Sequence, residues 1–280
     1  MRYGGSLIVA WYRPLERRRF TATWRGAAIM ALKALGLPGM IVLVLAAASN
    51  VSQAAEGRPP AETVLLLHGL SRTPRSMKRL ELAIAKAGYQ VLNIGYPSNS
   101  YPIEQLADML HSTFSVWCPA PGHRVHFVTQ SMGGIVARYY LGTRPCPNLG
   151  RVVMLAPPNG GSELVDYLRK VPLLGRGGAP ARRQLGTGPS DLPPRLGAVH
   201  YELGIIAGNR SLNLVLSLLI PGPDDSRVSV ERAKAPGMKD FLVVAHSHTV
   251  ITTKKDVIAQ TLRFLREGTF DHAGPVRESS

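Results

Sequence analysis

The sequence predicts an α/β chain built on a compact, mostly parallel sheet of six strands with helices on both faces. Three observations predict it. Six short apolar runs, at 63–67, 90–94, 124–128, 151–155, 203–207 and 241–245, have the length and unbroken apolar character of parallel-sheet strands. Helix-like stretches near 75–87, 102–113, 131–142 and 254–267 separate or follow them. Strand and helix alternating in this way make βαβ units, which require a parallel sheet covered on both sides.

The runs differ in how they end. Thr63–Leu67 stops at His68-Gly69-Leu70 and enters a polar loop through Ser71, Arg72, Thr73 and Pro74. The run beginning at Arg124 ends at Ser131, and Met132, Gly133 and Gly134 then open a helix. A serine at a strand-to-helix elbow is lifted clear of the sheet with its hydroxyl exposed, and the following N–H is free to meet an oxyanion. Taken alone, Ser131 is equally an N-cap. The elbow pattern G-x-S-x-G also carries Thr129 in place of its first glycine.

Later segments add what a nucleophilic serine needs. Pro221 to Val228 is a turn-rich stretch with two adjacent carboxylates. The Asp-x-x-Val spacing favours Asp225 as the acid, with Asp224 as the alternative, although Asp in such a loop is also an ordinary turn former. The last apolar run ends at His246-Ser247-His248-Thr249. His248, in the loop beyond the strand, is the candidate base. His246, at the strand end, is its competitor and is better suited to local packing. No Cys or carboxylate beside the two histidines completes a metal ligand set, so neither metal nor cofactor is expected.

His68-Gly69-Leu70, the Ser131-Met132-Gly133-Gly134 elbow and the late Asp225 and His248 together resemble the α/β-hydrolase fold family, specifically its bacterial lipase- and esterase-like members. The resemblance covers about Thr63 to Phe270. It implies Ser131 as nucleophile, His248 as base, Asp225 as acid, and the amides of Leu70 and Met132 as oxyanion hole. The loop Ala156 to Ser162 looks like one that lines the acyl site. The implied reaction is carboxylic ester hydrolysis through an acyl-enzyme, on a small-molecule or lipid ester. An apolar rim at Leu70, Met132, Leu173 and Leu174 agrees with that substrate class. Thioesterase, amidase and acyltransferase chemistry use the same triad, and a catalytically inactive envelope binding module is the alternative of another class. Two positions depart from the pattern: Thr129, and Ser226, which follows Asp225 where glycine is expected.

Residues 161–200 are rich in Gly, Pro and Arg, with Val165–Val171 as their one expected helix. They occupy the position of a lid or cap, or else form a solvated connection. The N-terminal 54 residues read separately. An arginine-rich start, an apolar stretch from Ala27 to Ala48 and a small-residue exit ending in Ser52-Gln53-Ala54 resemble an export signal. That places the mature chain, 55–280, in the periplasm or outside the cell. Translation starting at Met30 rather than Met1 would leave a compact signal peptide. An uncleaved anchor to the inner membrane is the competing reading, because 27–48 approaches the ~20 apolar residues that span a bilayer.

Export bears on the two cysteines, Cys118 and Cys146. They follow the helices on either side of the Ser131 strand and are expected at the same edge of adjacent strands, where they could pair in an oxidising compartment. The alternative is two unconnected thiols. The net charge of +15 is dispersed over residues such as Arg72, Arg75, Lys78, Arg79, Arg182 and Arg183, without the aromatic interleaving of a nucleic-acid module. It favours solubility or attraction to anionic surfaces, membranes included. No sequence feature fixes the oligomeric state.

Overall fold

The computed structural model describes residues 62–117, 123–171 and 178–273, all within the unit Pro60–Ser280. The segment 27–48, Cys118, Leu173 and Leu174 lie outside these residues. The six strands are β1 (Thr63–Leu67), β2 (Gln90–Ile94), β3 (Val125–Gln130), β4 (Leu149–Leu155), β5 (Leu203–Gly208) and β6 (Asp240–Val244). They form one sheet in the order β2-β1-β3-β4-β5-β6, and every pairing is parallel. The sheet is therefore wholly rather than mostly parallel.

Because side chains alternate along a strand, each apolar run feeds two cores. Leu65, Leu67, Phe127, Val152, Met154 and Ile205 face α2 (Ile103–Trp117) and α3 (Met132–Thr143), where Phe114 stacks edge-on against both Phe127 and Tyr140. Val64, Leu66, Val128, Val153 and Ile206 face α1 (Lys78–Lys86) and α9 (Lys255–Glu267) through Leu80, Ile84, Val257 and Phe264. A run buried on both faces is mostly apolar, which is why β1 and β5 lack polar alternation. Gly268, at φ 76°, ends α9 in the left-handed conformation.

The described residues between 161 and 200, which are 161–171 and 178–200, hold more order than one helix. An amphipathic α4 (Glu163–Lys170) is followed by two single-turn helices, α5 (Pro180–Arg183) and α6 (Leu192–Arg195). Leu164, Val165, Ala181, Leu185, Leu192 and Val199 are buried. Arg169 reaches Asp191 with both guanidinium nitrogens, at 2.5 and 3.0 Å, and this contact holds the Asp191 carboxyl below its usual range. Gln184 accepts from the Ile103 amide at 2.7 Å and donates to Glu104 at 2.6 Å, tying the segment to the start of α2. These bonds and the buried leucines distinguish it from a solvated connection.

The chain passes from β1 outward to β2, then back across β1 to β3, so the strand order reverses between β1 and β3. At such a reversal the loops leaving the two strands diverge and open a crevice at the C-terminal edge of the sheet. Those loops begin at His68 and Ser131.

Candidate active site

β3 turns into α3 at Ser131, whose backbone stands at φ 55° and ψ −127°. This is a strained conformation for a non-glycine residue, and strain of this kind is held only where the surroundings enforce it. Here the Ser131 amide donates to the Leu155 carbonyl at 2.9 Å and the Ser131 carbonyl accepts from Gly134 N–H at 2.9 Å. The tight turn brings α3 against the end of β1. A Cβ on Gly133 would lie 2.6 Å from the Leu67 carbonyl oxygen and 2.7 Å from that of His68. The same closeness explains how Thr129 fits where glycine is usual. Its buried side chain sits under Gly134, where an added Cβ would come within 3.3 Å of the Thr129 hydroxyl.

Asp225 and His248 reach Ser131 from the far end of the sheet. His248 Nε2 is 2.9 Å from Ser131 Oγ, and His248 Nδ1 is 2.8 Å from Asp225 Oδ2. The other Asp225 oxygen accepts from the amides of Arg227 at 3.0 Å and Val228 at 2.9 Å, and the His248 amide donates to the Asp225 carbonyl at 3.0 Å. With the carboxylate accepting at Nδ1–H, Nε2 is left to accept the serine proton. Asp225 and His248 are almost completely buried, so these bonds compete little with water.

The two competitors point elsewhere. Asp224 accepts from the Ser226 amide at 2.6 Å and from the Ser217 hydroxyl. His246 contacts Asp256 through Nε2 at 2.7 Å. Ser226 stands at φ 82°, in the region that favours glycine. Its hydroxyl accepts from the amides of Leu212 at 2.9 Å and Asn213 at 3.3 Å, a service glycine cannot give.

The loop after β1 is held by His68. Its ring stacks on Tyr96 at 4.3 Å, Nδ1–H donates to the Gly69 carbonyl at 2.9 Å, and Tyr96 donates to the His68 carbonyl. Burial pushes the His68 pKa down, which keeps the ring neutral. Within this loop the Ser71 amide donates to Ser98 and the Arg72 amide to Gly69. The Leu70 amide donates no bond among the described residues. Met132 is the first residue of α3, where an amide has no intrahelical acceptor. The arrangement can thus offer two N–H groups beside a hydroxyl that is aligned to lose its proton.

Over Ser131 lies a cavity of about 300 Å³, lined among others by Leu70, Gln130, Pro158, Ser162, Leu164 and His248. Of the expected rim, Leu70 lines the cavity, and Leu173 and Leu174 lie outside the described residues. Leu164, Val165 and Leu168 of α4, with Leu185 and Val228, form much of the apolar wall. Met132 is a correction: its side chain is fully buried in the core and takes no part in the rim. Arg72, Arg182 and Arg227 also line the cavity, and among the described residues no Asp or Glu does. Gln130, just before Ser131, is buried with its side-chain oxygen unpartnered among the described residues. The expected loop after β4 is anchored deeper, where buried Arg138 donates to the Asn159 carbonyl and side-chain oxygens at 3.2 and 3.1 Å.

The all-parallel sheet, the elbow serine and the cleft at the strand-order reversal define the α/β-hydrolase fold, and the chain has that fold. Among solved structures it is similar to the mature form of the Bacillus licheniformis lipase BlEst2, with a TM-score of 0.61 and 20% identity over 74% of this chain and 93% of that one. It is also similar to the phospholipase PlaB of Legionella pneumophila, with a TM-score of 0.58 and 16% identity over 74% of this chain and 60% of that one. A metagenomic carboxyl esterase, MGS0156, gives a TM-score of 0.55 and 18% identity over 76% and 75%. At these identities the likeness is one of fold. The chain matches no protein-family model and no curated protein.

Proposed function

We propose that this protein is a serine hydrolase that cleaves carboxylic esters. The observation that carries the reading is the unbroken run of contacts from Asp225 through His248 to Ser131 Oγ, at 2.8 and 2.9 Å. In the proposed cycle His248 Nε2 takes the Ser131 proton as Oγ attacks the ester carbonyl. The amides of Leu70 and Met132 bind the oxygen that becomes negative. His248 then returns the proton to the departing alkoxide, leaving an acyl-Ser131. Water, deprotonated by the same imidazole, releases the acid. Asp225 fixes the ring tautomer and balances the imidazolium charge.

The cavity wall of Leu164, Val165, Leu168 and Leu185 supports an apolar acyl chain as the group bound. The lipase and esterase names of the similar structures agree with an ester or lipid ester. The α4–α6 segment is proposed to act as the cap over this cavity. Location rests on the basic, apolar and small-residue succession of residues 1–54, which supports export. Among the described residues no helix is long and apolar enough to cross a membrane, and 27–48 lies outside them. N-terminal sequencing of the mature form distinguishes a cleaved signal from an anchor.

Turnover of p-nitrophenyl esters of graded chain length tests the activity. Ester cleavage that falls by at least about 10³-fold in Ser131→Ala supports the reading. Equal activity in the variant contradicts Ser131 as the nucleophile, and no activity in the folded wild type with esters, thioesters and amides alike contradicts the hydrolase and favours the binding module.

A further inference from the structure

Between β5 and the Asp225 turn the chain exposes Leu212, Leu214, Val215 and Leu218, which are 70, 77, 71 and 86% accessible. Single exposed leucines are commonplace, but four large apolar side chains within seven residues form a patch. The segment is held firmly. Ser226 Oγ accepts from the Leu212 and Asn213 amides, Asn213 caps α7 (Leu214–Ser217) by accepting from Leu216 N–H at 3.1 Å, Ser217 donates to Asp224, and Ile220 is buried. The backbone is thus spent on internal bonds while the apolar side chains are turned to solvent.

Charge decides what fits such a patch. Residues 209–223 contain no carboxylate, and their one charge is the exposed Arg210. Exposed Arg227, beside Ser226, adds a second cation and also lines the cavity over Ser131, together with Arg72 and Arg182. A second copy of the chain on a two-fold axis would bring the patch against itself and face these arginines with their own counterparts. The N-terminal segment, rich in arginine, would meet the same repulsion. We infer that Leu212–Leu218 is a docking wedge for the surface of an anionic lipid bilayer: the leucines enter the acyl boundary and Arg210 and Arg227 meet the headgroup charge. The wedge leaves the C-terminal edge of the sheet, the edge from which Ser131 rises, so docking brings the cavity to the bilayer.

The full chain carrying Leu214→Cys, labelled with bimane beside an unsubstituted labelling control, is mixed with vesicles. With phosphatidylglycerol and phosphatidylcholine at equal parts, the label is expected to shift to the blue and to be quenched by brominated acyl chains. With phosphatidylcholine alone, or at 1 M salt, the response should need at least about tenfold more lipid. Adding Leu218→Ser should weaken it by a further tenfold or so, close to the worth of half-burying a leucine. Hydrolysis of a short soluble ester should be unchanged in Leu218→Ser, and the label reports docking whether or not Ser131 is reactive. A label that stays in water while the protein sediments with vesicles overturns the proposal. So does an equal response to both lipid mixtures, or burial that depends on protein concentration without lipid, which would make this face an interface between copies.

Discussion

Replacing Asp225 with Asn isolates the role of one carboxylate without changing its shape. In the native site one Asp225 oxygen accepts from the Arg227 and Val228 amides at 3.0 and 2.9 Å, and the other accepts from His248 Nδ1–H at 2.8 Å. An asparagine keeps its oxygen toward the two backbone donors, because turning its NH₂ to them would leave both without an acceptor. The NH₂ must then face His248 and donate to Nδ1. That moves the ring proton to Nε2, 2.9 Å from Ser131 Oγ, where it blocks acceptance of the serine proton. The expected loss is about 10⁴-fold in kcat, or about 5.5 kcal/mol in the barrier. Stopped-flow or steady-state turnover of p-nitrophenyl butyrate measures it, with a circular dichroism melt to show that the fold persists. Asp224→Asn, whose side chain bonds Ser226 and Ser217 among the described residues, should cost less than roughly tenfold. Asp225→Asn within tenfold of wild type, in folded protein, would refute the tautomer argument.

Other perturbations follow from the same coordinates. Gly133→Ala sets a methyl 2.6 Å from the Leu67 carbonyl, and backbone atoms cannot step aside; urea denaturation should show a loss of about 1–3 kcal/mol. Burial, reinforced by the charges of Arg124 and Arg151, holds His126 down at about 4. Unfolded His126 takes up its proton near 6.5, so acidification from pH 7 to 4.5 favours the unfolded chain by about 2–3 kcal/mol. Urea midpoints at the two pH values, compared with His126→Gln, check this: the slope should flatten in the variant. Cys146 lies just after α3, and the chain's other cysteine, Cys118, lies outside the described residues. If the two are joined, thiol titration of the denatured protein gives none before reduction and two after it, and Cys118→Ser/Cys146→Ser loses about 3 kcal/mol of stability.

The sheet was legible because its inner strands, such as β1 and β5, are buried on both faces and stand out as apolar runs, while the half-buried edge strands β2 and β6 are short apolar runs between helix-like stretches. Boundaries moved where the run alone was uninformative: β3 extends through Thr129 and Gln130, polar residues inside the sheet, and β4 begins at Leu149. The elbow was legible because a strand, a serine and, one residue further, two glycines follow one another in sequence. The cavity wall was not, since Leu164, Leu185 and Val228 meet only in the folded chain, and single-turn helices such as Pro180–Arg183 carry no periodicity to detect. Met132 misled because a residue at the start of a helix can present its amide to a cleft while its side chain packs inward. The leucines of 212–218 carried the opposite lesson. Their composition is that of a core segment, yet they face solvent on a turn held by the Leu212 and Asn213 amides on Ser226 and by the Ser217 hydroxyl on Asp224.

The central claim is that Ser131 is a nucleophile activated by His248. Phosphonylation of the purified protein with a fluorophosphonate, followed by peptide mass spectrometry, tests it most directly. One adduct is expected, on Ser131, absent in Ser131→Ala and formed at least about 10²-fold more slowly in His248→Ala. An adduct on another residue, or none at all in folded wild-type protein, would contradict it.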